Sequence, residues 1–182
     1  MVGRTELTDG FVLLRPVEAD DFEHYWEAVS ESFSEVSVWM PWSADMPKEE
    51  LRSRYVSSAG DWENGTSYVF SVVDAGNGSY LGVCFLIPVE ATHTIANLGY
   101  WVRTSRTRQG VATAATRLLA SFGLKELGLR RIEIVVATGN LASQRVAEKS
   151  GATREGVLRN RIVVRDRLYD AVMYSIIPSD LA

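Results

Sequence analysis

Apolar residues recur along the chain at two alternating spacings, and each change of spacing marks a change of element. Phe11-Val12-Leu13-Leu14-Arg15-Pro16 is a short apolar run closed by proline, which reads as a strand. Ala19-Asp20-Asp21 then starts a helix, with Phe22, Tyr25, Trp26 and Val29 at i, i+3, i+4 and i+7 on one face. Glu31 to Met46 is aromatic and irregular around Trp39-Met40-Pro41-Trp42. Pro47 and Lys48-Glu49-Glu50 open a second helix carrying Leu51, Tyr55, Ala59 and Trp62.

The period then shortens. Ser67 to Val73 reads as a strand, Asp74-Ala75-Gly76-Asn77-Gly78-Ser79 as a turn, and Tyr80 to Pro88 as the returning strand of a hairpin. Ile95 to Val102 is a further strand, and three strands joined by short turns predict antiparallel pairing. Val111, Ala115, Leu118, Leu119 and Phe122 stripe a helix over Gly110 to Glu126, with Gly128 ending it. Arg131 to Ala137 is the next strand. With the strand ending at Val102 it forms a β-α-β unit, so these two strands should run side by side in parallel. Asn140 caps a short helix to Ser150, closed by Gly151. Strands near Thr153–Leu158 and Leu168–Ile176 complete an α+β pattern without linker, repeat or low-complexity segment. Residues 1–182 are expected to form a single domain.

Composition narrows the function classes. Of 182 residues, 46% are hydrophobic and 23% charged, the balance of a soluble globular chain. No apolar run reaches the roughly 20 residues of a membrane helix, and Met1-Val2-Gly3-Arg4-Thr5-Glu6 lacks the apolar core of a signal peptide. A cytoplasmic location without membrane contact is the expectation. Cys84, the one cysteine, lies in an apolar strand and reads as a small buried hydrophobe. With only His24 and His93, neither a multi-histidine metal site nor a histidine triad is expected.

Charge is divided unevenly. Residues 1–91 hold 5 Lys+Arg against 16 Asp+Glu, a net of −11, and residues 92–182 hold 14 against 7, a net of +7. Either both sets are solvated faces, or the basic half meets an anion and the acidic half a cation. The junction Tyr100-Trp101-Val102-Arg103-Thr104-Ser105-Arg106-Thr107-Arg108-Gln109-Gly110-Val111-Ala112-Thr113 favours the second alternative for the basic half. It joins a strand to a helix N-terminus, where free N–H groups and the helix dipole attract anions. Arg103, Arg106 and Arg108 add charge, and Gly110 and Ala112 leave room for a ligand at the backbone. The junction matches neither the Walker pattern nor GxGxxG.

The run Asn140-Leu141-Ala142-Ser143-Gln144-Arg145-Val146-Ala147-Glu148-Lys149-Ser150-Gly151 follows a strand directly. Together with Gln109-Gly110-Val111-Ala112-Thr113 it resembles the GCN5-related N-acetyltransferase (GNAT) superfamily, in the branch that acetylates ribosomal-protein N-termini. The resemblance extends from Leu14-Arg15-Pro16 through Leu98-Gly99-Tyr100-Trp101-Val102 to Asp170-Ala171-Val172-Met173-Tyr174. It implies a mixed, mostly antiparallel sheet splayed at its centre, with helices on both faces and acetyl-CoA in the opening, and no metal. Main-chain N–H groups of Gln109, Gly110, Val111, Ala112 and Thr113, with Arg108 beside them, would hold the pyrophosphate. The main chain of Trp101, Val102 and Arg103 would pair with the pantetheine arm. Asn140 would bond a pantetheine amide, Ser143 would lie near the thioester sulfur as the catalytic donor, and Lys149 would reach a CoA phosphate.

The sequence departs from that pattern in two places. Thr107 stands where Gln or Arg is usual, and Asn97 and Ile162 stand where relatives have Glu, so homology names no general base. By residue type alone Glu35, Glu90 and His93 are candidates. Glu35, Trp39 and Trp42 are expected at the acceptor cleft, although Trp39, Trp42 and Trp62 suit a core equally well. Asn140 is also an adequate helix cap with no ligand at all. The implied reaction is acetyl transfer to a primary amine, the expected acceptor being a basic protein N-terminus drawn by the acidic half. A small amine such as an aminoglycoside, polyamine or aminoacyl compound is the alternative acceptor. A non-catalytic acyl-CoA-binding module is the alternative class, and both a monomer and a homodimer are compatible with the sequence. Direct nucleic-acid binding is not expected, because the basic half lacks interleaved aromatic residues.

Overall fold

Along the chain the elements run β1 (Leu7–Thr8), β2 (Val12–Pro16), α1 (Phe22–Glu31), α2 (Phe33–Val36), α3 (Lys48–Asn64), β3 (Tyr68–Asp74), β4 (Tyr80–Pro88), β5 (Ile95–Val102), α4 (Val111–Lys125), β6 (Arg131–Ala137), α5 (Leu141–Lys149), β7 (Thr153–Val164) and β8 (Arg167–Ile176). The computed structural model describes residues 3–40, 46–89 and 94–181. The strands form one sheet in the order β1-β2-β3-β4-β5-β6-β8-β7. All neighbours are antiparallel except β5 and β6, which are parallel as the β-α-β spacing requires. Among the described residues no helix is long and apolar enough to cross a membrane.

Strand alternation sends side chains to two core layers. Val12, Leu14, Phe70, Val72, Cys84, Leu86, Leu98, Ile132, Ile134 and Tyr174 meet the stripe of α4 (Val111, Ala115, Leu119, Phe122) and Ala147 of α5. On the opposite face, Val73, Tyr80, Val83 and Trp101 meet Phe22, Tyr25, Ala28 and Val29 of α1 and Leu51 and Tyr55 of α3. The far end of α3 crosses to the first layer, where Trp62 packs edge-on against Phe70 and Tyr68. Trp62 is 5% exposed, a core residue. Under α1, buried Asp21 pairs with Arg15 and accepts from Ser71 Oγ at 3.2 Å, and Ser71 Oγ lies 3.0 Å from the Tyr55 hydroxyl. These contacts fasten both helices to β2 and β3.

At Gly82 the alternation breaks. The register of β3 against β4 shifts between Val72 and Val73, and Gly82 has φ +155. A Cβ there would lie 2.1 Å from the Trp101 carbonyl oxygen, so only glycine lets β4 approach β5 this closely. The bulge puts Leu81 in the α4 layer although Tyr80 and Val83 face α1.

Three elements differ from the expected pattern. β7 does not stop near Leu158 but runs to Val164, bulged between Leu158 and Ile162. The irregular stretch after Glu31 holds the four-residue helix α2. A short β1 pairs with β2 ahead of the first expected strand.

Candidate active site

Strands β5 and β6 pair over Ile95–Asn97 and Arg131–Glu133, and the pairing ends there. β5 runs on to Val102 bonded to β4, while β6 runs on to Ala137 bonded to β8. Residues 98–102 and 134–137 thus form the two walls of a wedge in the middle of the sheet. The strands are parallel, so their C-terminal ends lie at the same end of the wedge. The helices that follow, α4 and α5, both begin there and turn their positive N-termini toward it.

The loop into α4 is shaped by two left-handed residues, Arg108 (φ 61) and Gly110 (φ 89), on either side of Gln109. Such reversals turn successive N–H groups into one concavity, and holding arginine left-handed stores strain of the kind found at binding sites. Gly110 is the N-cap, its carbonyl accepts from Ala114 N at 3.0 Å, and no side chain caps the end. The N–H groups of Val111, Ala112 and Thr113 are therefore left for a ligand. A Cβ on Gly110 would meet nothing within 4 Å, so the space over this turn is open.

At α5, Asn140 Oδ1 accepts from Ser143 N at 3.1 Å, a side-chain cap. Its NH2 group has no partner among the described residues and remains available to a ligand carbonyl. Ser143 is half-buried, with its Oγ 2.9 Å from the Tyr100 hydroxyl. The Tyr100 hydroxyl also lies 3.1 Å from the Ser143 carbonyl. Burial pushes the Tyr100 phenol up to about 12, so at neutral pH it is a hydrogen-bond donor that keeps its proton. The sequence reading gave Tyr100 no role, because 43 residues separate it from Ser143. The available signal was parity: Tyr100 shares the face of Ala96 and Leu98 and puts a polar tip into that apolar layer.

The other expected residues fall in several places. Trp101 is 6% exposed and packs edge-on against Tyr25, so only its backbone faces the wedge edge. Val102 is half-buried beside the α4 layer. Lys149 has an exposed side chain, and its carbonyl accepts from Arg117 at 2.5 Å, tying α5 to α4.

The charge expected of Arg103 is absent from the loop. Its guanidinium pairs with Glu31 and Glu27, and its N–H donates to Leu81 O at 2.8 Å. The Arg103 hydrogen bonds, then those of Ser105, hold the Glu31 carboxyl down at about 2. Glu35 belongs to the same clasp. It accepts from Ser34 at 2.7 Å and Thr104 at 3.1 Å, contacts that lower its pKa and make it a poor base. It fastens α2 to the segment after β5.

Trp39 does bridge parts of the site. Its ring packs edge-on against Tyr169 of β8 at 6.0 Å, and a Cβ on Gly139, next to Asn140, would lie 3.1 Å from it. Trp42, Glu90 and His93 lie outside the described residues. Asn97, at the last paired position, has a buried Oδ1 with no donor among the described residues. Its register partner, Glu133 of β6, pairs with Arg131 at 2.8 Å.

A positive, uncapped turn, a wedge of free backbone edge and a hydroxyl pair at its mouth suit a long anionic ligand that ends in a reactive group. Comparison with known proteins agrees. Residues 12–153 match the family model described as an acetyltransferase (GNAT) domain. The Bacillus subtilis protein YdaF, named as a ribosomal N-acetyltransferase, is 29% identical over 175 residues, covering 91% of each chain. The solved structure of RimL, a ribosomal-protein alpha-N acetyltransferase in complex with coenzyme A, superposes with TM-score 0.85 at 20% identity, covering 94% of this chain and 96% of that one. That of the microcin C7 self-immunity acetyltransferase MccE, with acetyl-CoA and AMP, superposes with TM-score 0.84 at 21% identity, covering 93% of each.

Proposed function

The chain belongs to the GNAT acetyltransferase family, and from that premise we propose that it moves the acetyl group of acetyl-CoA to the α-amine of a protein N-terminus. The observation that carries this reading is the wedge between β5 and β6, with the uncapped start of α4 and the Tyr100–Ser143 pair at one end. The residues present fit acetyl-CoA. The α4 turn offers N–H groups to the pyrophosphate, the free edge of β5 offers a strand partner to the pantetheine amides, and Asn140 offers its NH2 group. The names of YdaF and RimL support a ribosomal protein as the acceptor.

Bound acetyl-CoA supplies an activated thioester. The wedge holds its carbonyl carbon where an amine arriving from the α1 face can attack, which lowers the entropic part of the barrier. A C–N bond forms, the nitrogen gives up its surplus proton to water, and negative charge moves to the carbonyl oxygen, where an N–H on the free stretch of β5 near Val102 can receive it. As the C–S bond breaks, Ser143 Oγ–H donates to the sulfur while the Tyr100 hydroxyl donates to Ser143 Oγ. The Tyr100 hydroxyl has one hydrogen, within reach of both the Ser143 carbonyl at 3.1 Å and Ser143 Oγ at 2.9 Å, and the chain forms when that hydrogen turns to Oγ. Full proton transfer is not required, since a thiol has a pKa of about 8.5. Asn97 Oδ1, an acceptor lacking a donor, offers a place for an amine or water N–H or O–H at the bottom of the wedge.

An α-amine, with pKa about 7.7–8.0, loses its proton to water far more readily than lysine at about 10.4. The absence of a glutamate at Asn97 therefore suits an N-terminal acceptor. The test is acetyl transfer to peptides with a free N-terminus against blocked peptides carrying only lysine. Transfer to the free N-termini is expected, rising with pH through about 7–8.5. Equal rates on both peptide sets would favour a small-amine acceptor, and CoA binding without transfer to any amine would make the chain a binding module.

A further inference from the structure

Some carboxylates of the acidic half are held in ion pairs on and around α1 and α3. Glu23 pairs with Lys48 and Arg52, Glu49 with Arg52, Glu50 with Arg54, and Glu27 and Glu31 with Arg103. Apart from Arg103, the cations in these pairs belong to the same half and are already counted in its net of −11, so that half stays acidic. The basic half behaves differently. On the β7–β8 hairpin, Arg159, Arg161, Arg165 and Arg167 are exposed and have no carboxylate partner among the described residues. Of the nearby acids, Glu155 is engaged by Arg131 and Ser175 and Asp170 by the Asn160 N–H at 2.9 Å, while Asp166, exposed in the turn between Arg165 and Arg167, offsets one of the four arginines.

The same hairpin ends the sheet. β7 is an edge strand of twelve residues, whereas the opposite edge, β1, has two. Its outer side is a row of backbone donors and acceptors, the template for an added strand. Apolar Val157, Leu158 and Val163 are exposed among the arginines. The bulge at Asn160 (φ 52) sets a shallow concavity lined by Val157, Leu158, Arg159, Asn160 and Arg161. Tyr169 on β8 sits opposite Ile162 and packs on Trp39, which reaches the start of α5. The arginine strip thus begins within a few residues of the site.

We propose that the β7–β8 hairpin docks an acidic, extended segment of the acceptor polypeptide, lying a few residues after the amine that is acetylated. The inference rests on the proposed function for its account of the amine. Carboxylates meet the unpaired guanidiniums, the peptide backbone meets the free edge of β7, and small apolar side chains meet Val157 and Leu158. At about 3.3 Å per residue, a strand leaving Ser143 and passing Tyr169 brings residues four to eight of the acceptor onto the strip. A nucleic acid is the poorer fit, because the exposed positions of the hairpin carry no aromatic ring for base stacking.

The experiment uses peptides sharing their first three residues and carrying Glu, Gln or Lys at positions five to eight. Acetylation by the wild-type chain is compared with that by Arg159→Glu/Arg161→Glu, alongside calorimetric CoA affinity for both. The Glu peptide is expected to have a KM about three- to tenfold below the Gln peptide, the range for two exposed ion pairs, with the advantage shrinking in salt. Charge reversal should abolish or invert that order and leave CoA affinity unchanged. N-terminally blocked versions of the peptides, which cannot be acetylated, are followed by fluorescence anisotropy, so docking is read even if no peptide is a substrate. Equal affinity for all three blocked peptides would overturn the proposal. Discrimination that survives the charge reversal, or a reversal-sensitive RNA oligonucleotide binding where the peptides do not discriminate, would overturn it as well. Failure of acetylation alone, with blocked acidic peptide still bound, would count against the amine reading and uphold the docking strip.

Discussion

Removing the Tyr100 hydroxyl separates a catalytic hydrogen-bond chain from simple anchoring. That hydroxyl lies 2.9 Å from Ser143 Oγ and 3.1 Å from the Ser143 carbonyl, so it has one contact with the reacting group and one with the frame of α5. A net hydrogen bond contributes about 0.5–1.5 kcal/mol. At 1.36 kcal/mol per tenfold, its loss from the transition state lowers kcat by about 2- to 13-fold. Tyr100→Phe should show that loss in kcat with little change in the KM for acetyl-CoA, because the bond matters most as charge reaches the sulfur. The decisive measurement is the double-mutant cycle with Ser143→Ala. With Oγ gone, the chain from Tyr100 to sulfur no longer exists, and Tyr100→Phe should cost less than about twofold. The carbonyl contact survives in that background. An equal loss from Tyr100→Phe with and without Ser143 would therefore assign the hydroxyl to anchoring and refute the relay.

Other perturbations test the parts around it. Gly110→Glu adds bulk and negative charge at a left-handed position over the open α4 turn, and calorimetry should show CoA affinity falling at least tenfold, or about 1.4 kcal/mol; unchanged affinity in the folded variant would remove the turn from the site. Gly82→Ala drives a Cβ to 2.1 Å from the Trp101 carbonyl, which should cost about 3 kcal/mol or more and lower Tm by roughly 6–12 °C. Glu31, with its folded pKa lowered to about 2 against about 4.3 in the unfolded chain, stabilises fully above pH 4.3 and loses that contribution as pH falls toward 2. Glu31→Gln should therefore flatten the acid limb of a denaturant-melt pH profile between those values, and an unaltered slope would show the clasp to be energetically neutral.

Elements whose local period matched their environment were legible from the sequence. The stripes of α1 and α4, the β3–β4 hairpin and the parallel register of β5 with β6 all follow from spacing and connection length. β7 was read only to Leu158 because an edge strand exposed on both faces has no apolar alternation, and Arg159-Asn160-Arg161 looks like a loop. The inverted face of Leu81 depends on the bulge at Gly82, which spacing does not reveal. At the site, the Gly110 turn and the Asn140–Ser143 cap are local, so sequence could find them. The Tyr100–Ser143 contact and the pairing of Arg103 with Glu31 across 72 residues exist only after folding. For that reason the sequence offers Arg103 only as ligand charge and Glu35 only as a cleft residue, and the clasp they share with Glu31 and Thr104 is invisible in it.

Three residue pairs join the two halves of the sheet where β5 meets β6, and beyond them the halves share no ladder. A seam that short makes the folded chain's lifetime depend on what lies in it. Acetyl-CoA bonded to the free edge would act as a ninth strand, present in the native state and absent from the unfolded one. At a hundred times its Kd it would add about 2.7 kcal/mol to stability, enough to change the unfolded fraction about a hundredfold and with it exposure to proteolysis. The contacts that would do this are made to the pyrophosphate and pantetheine, which free CoA shares, so the stabilisation would follow the whole CoA pool and would persist after the acetyl group has been handed on.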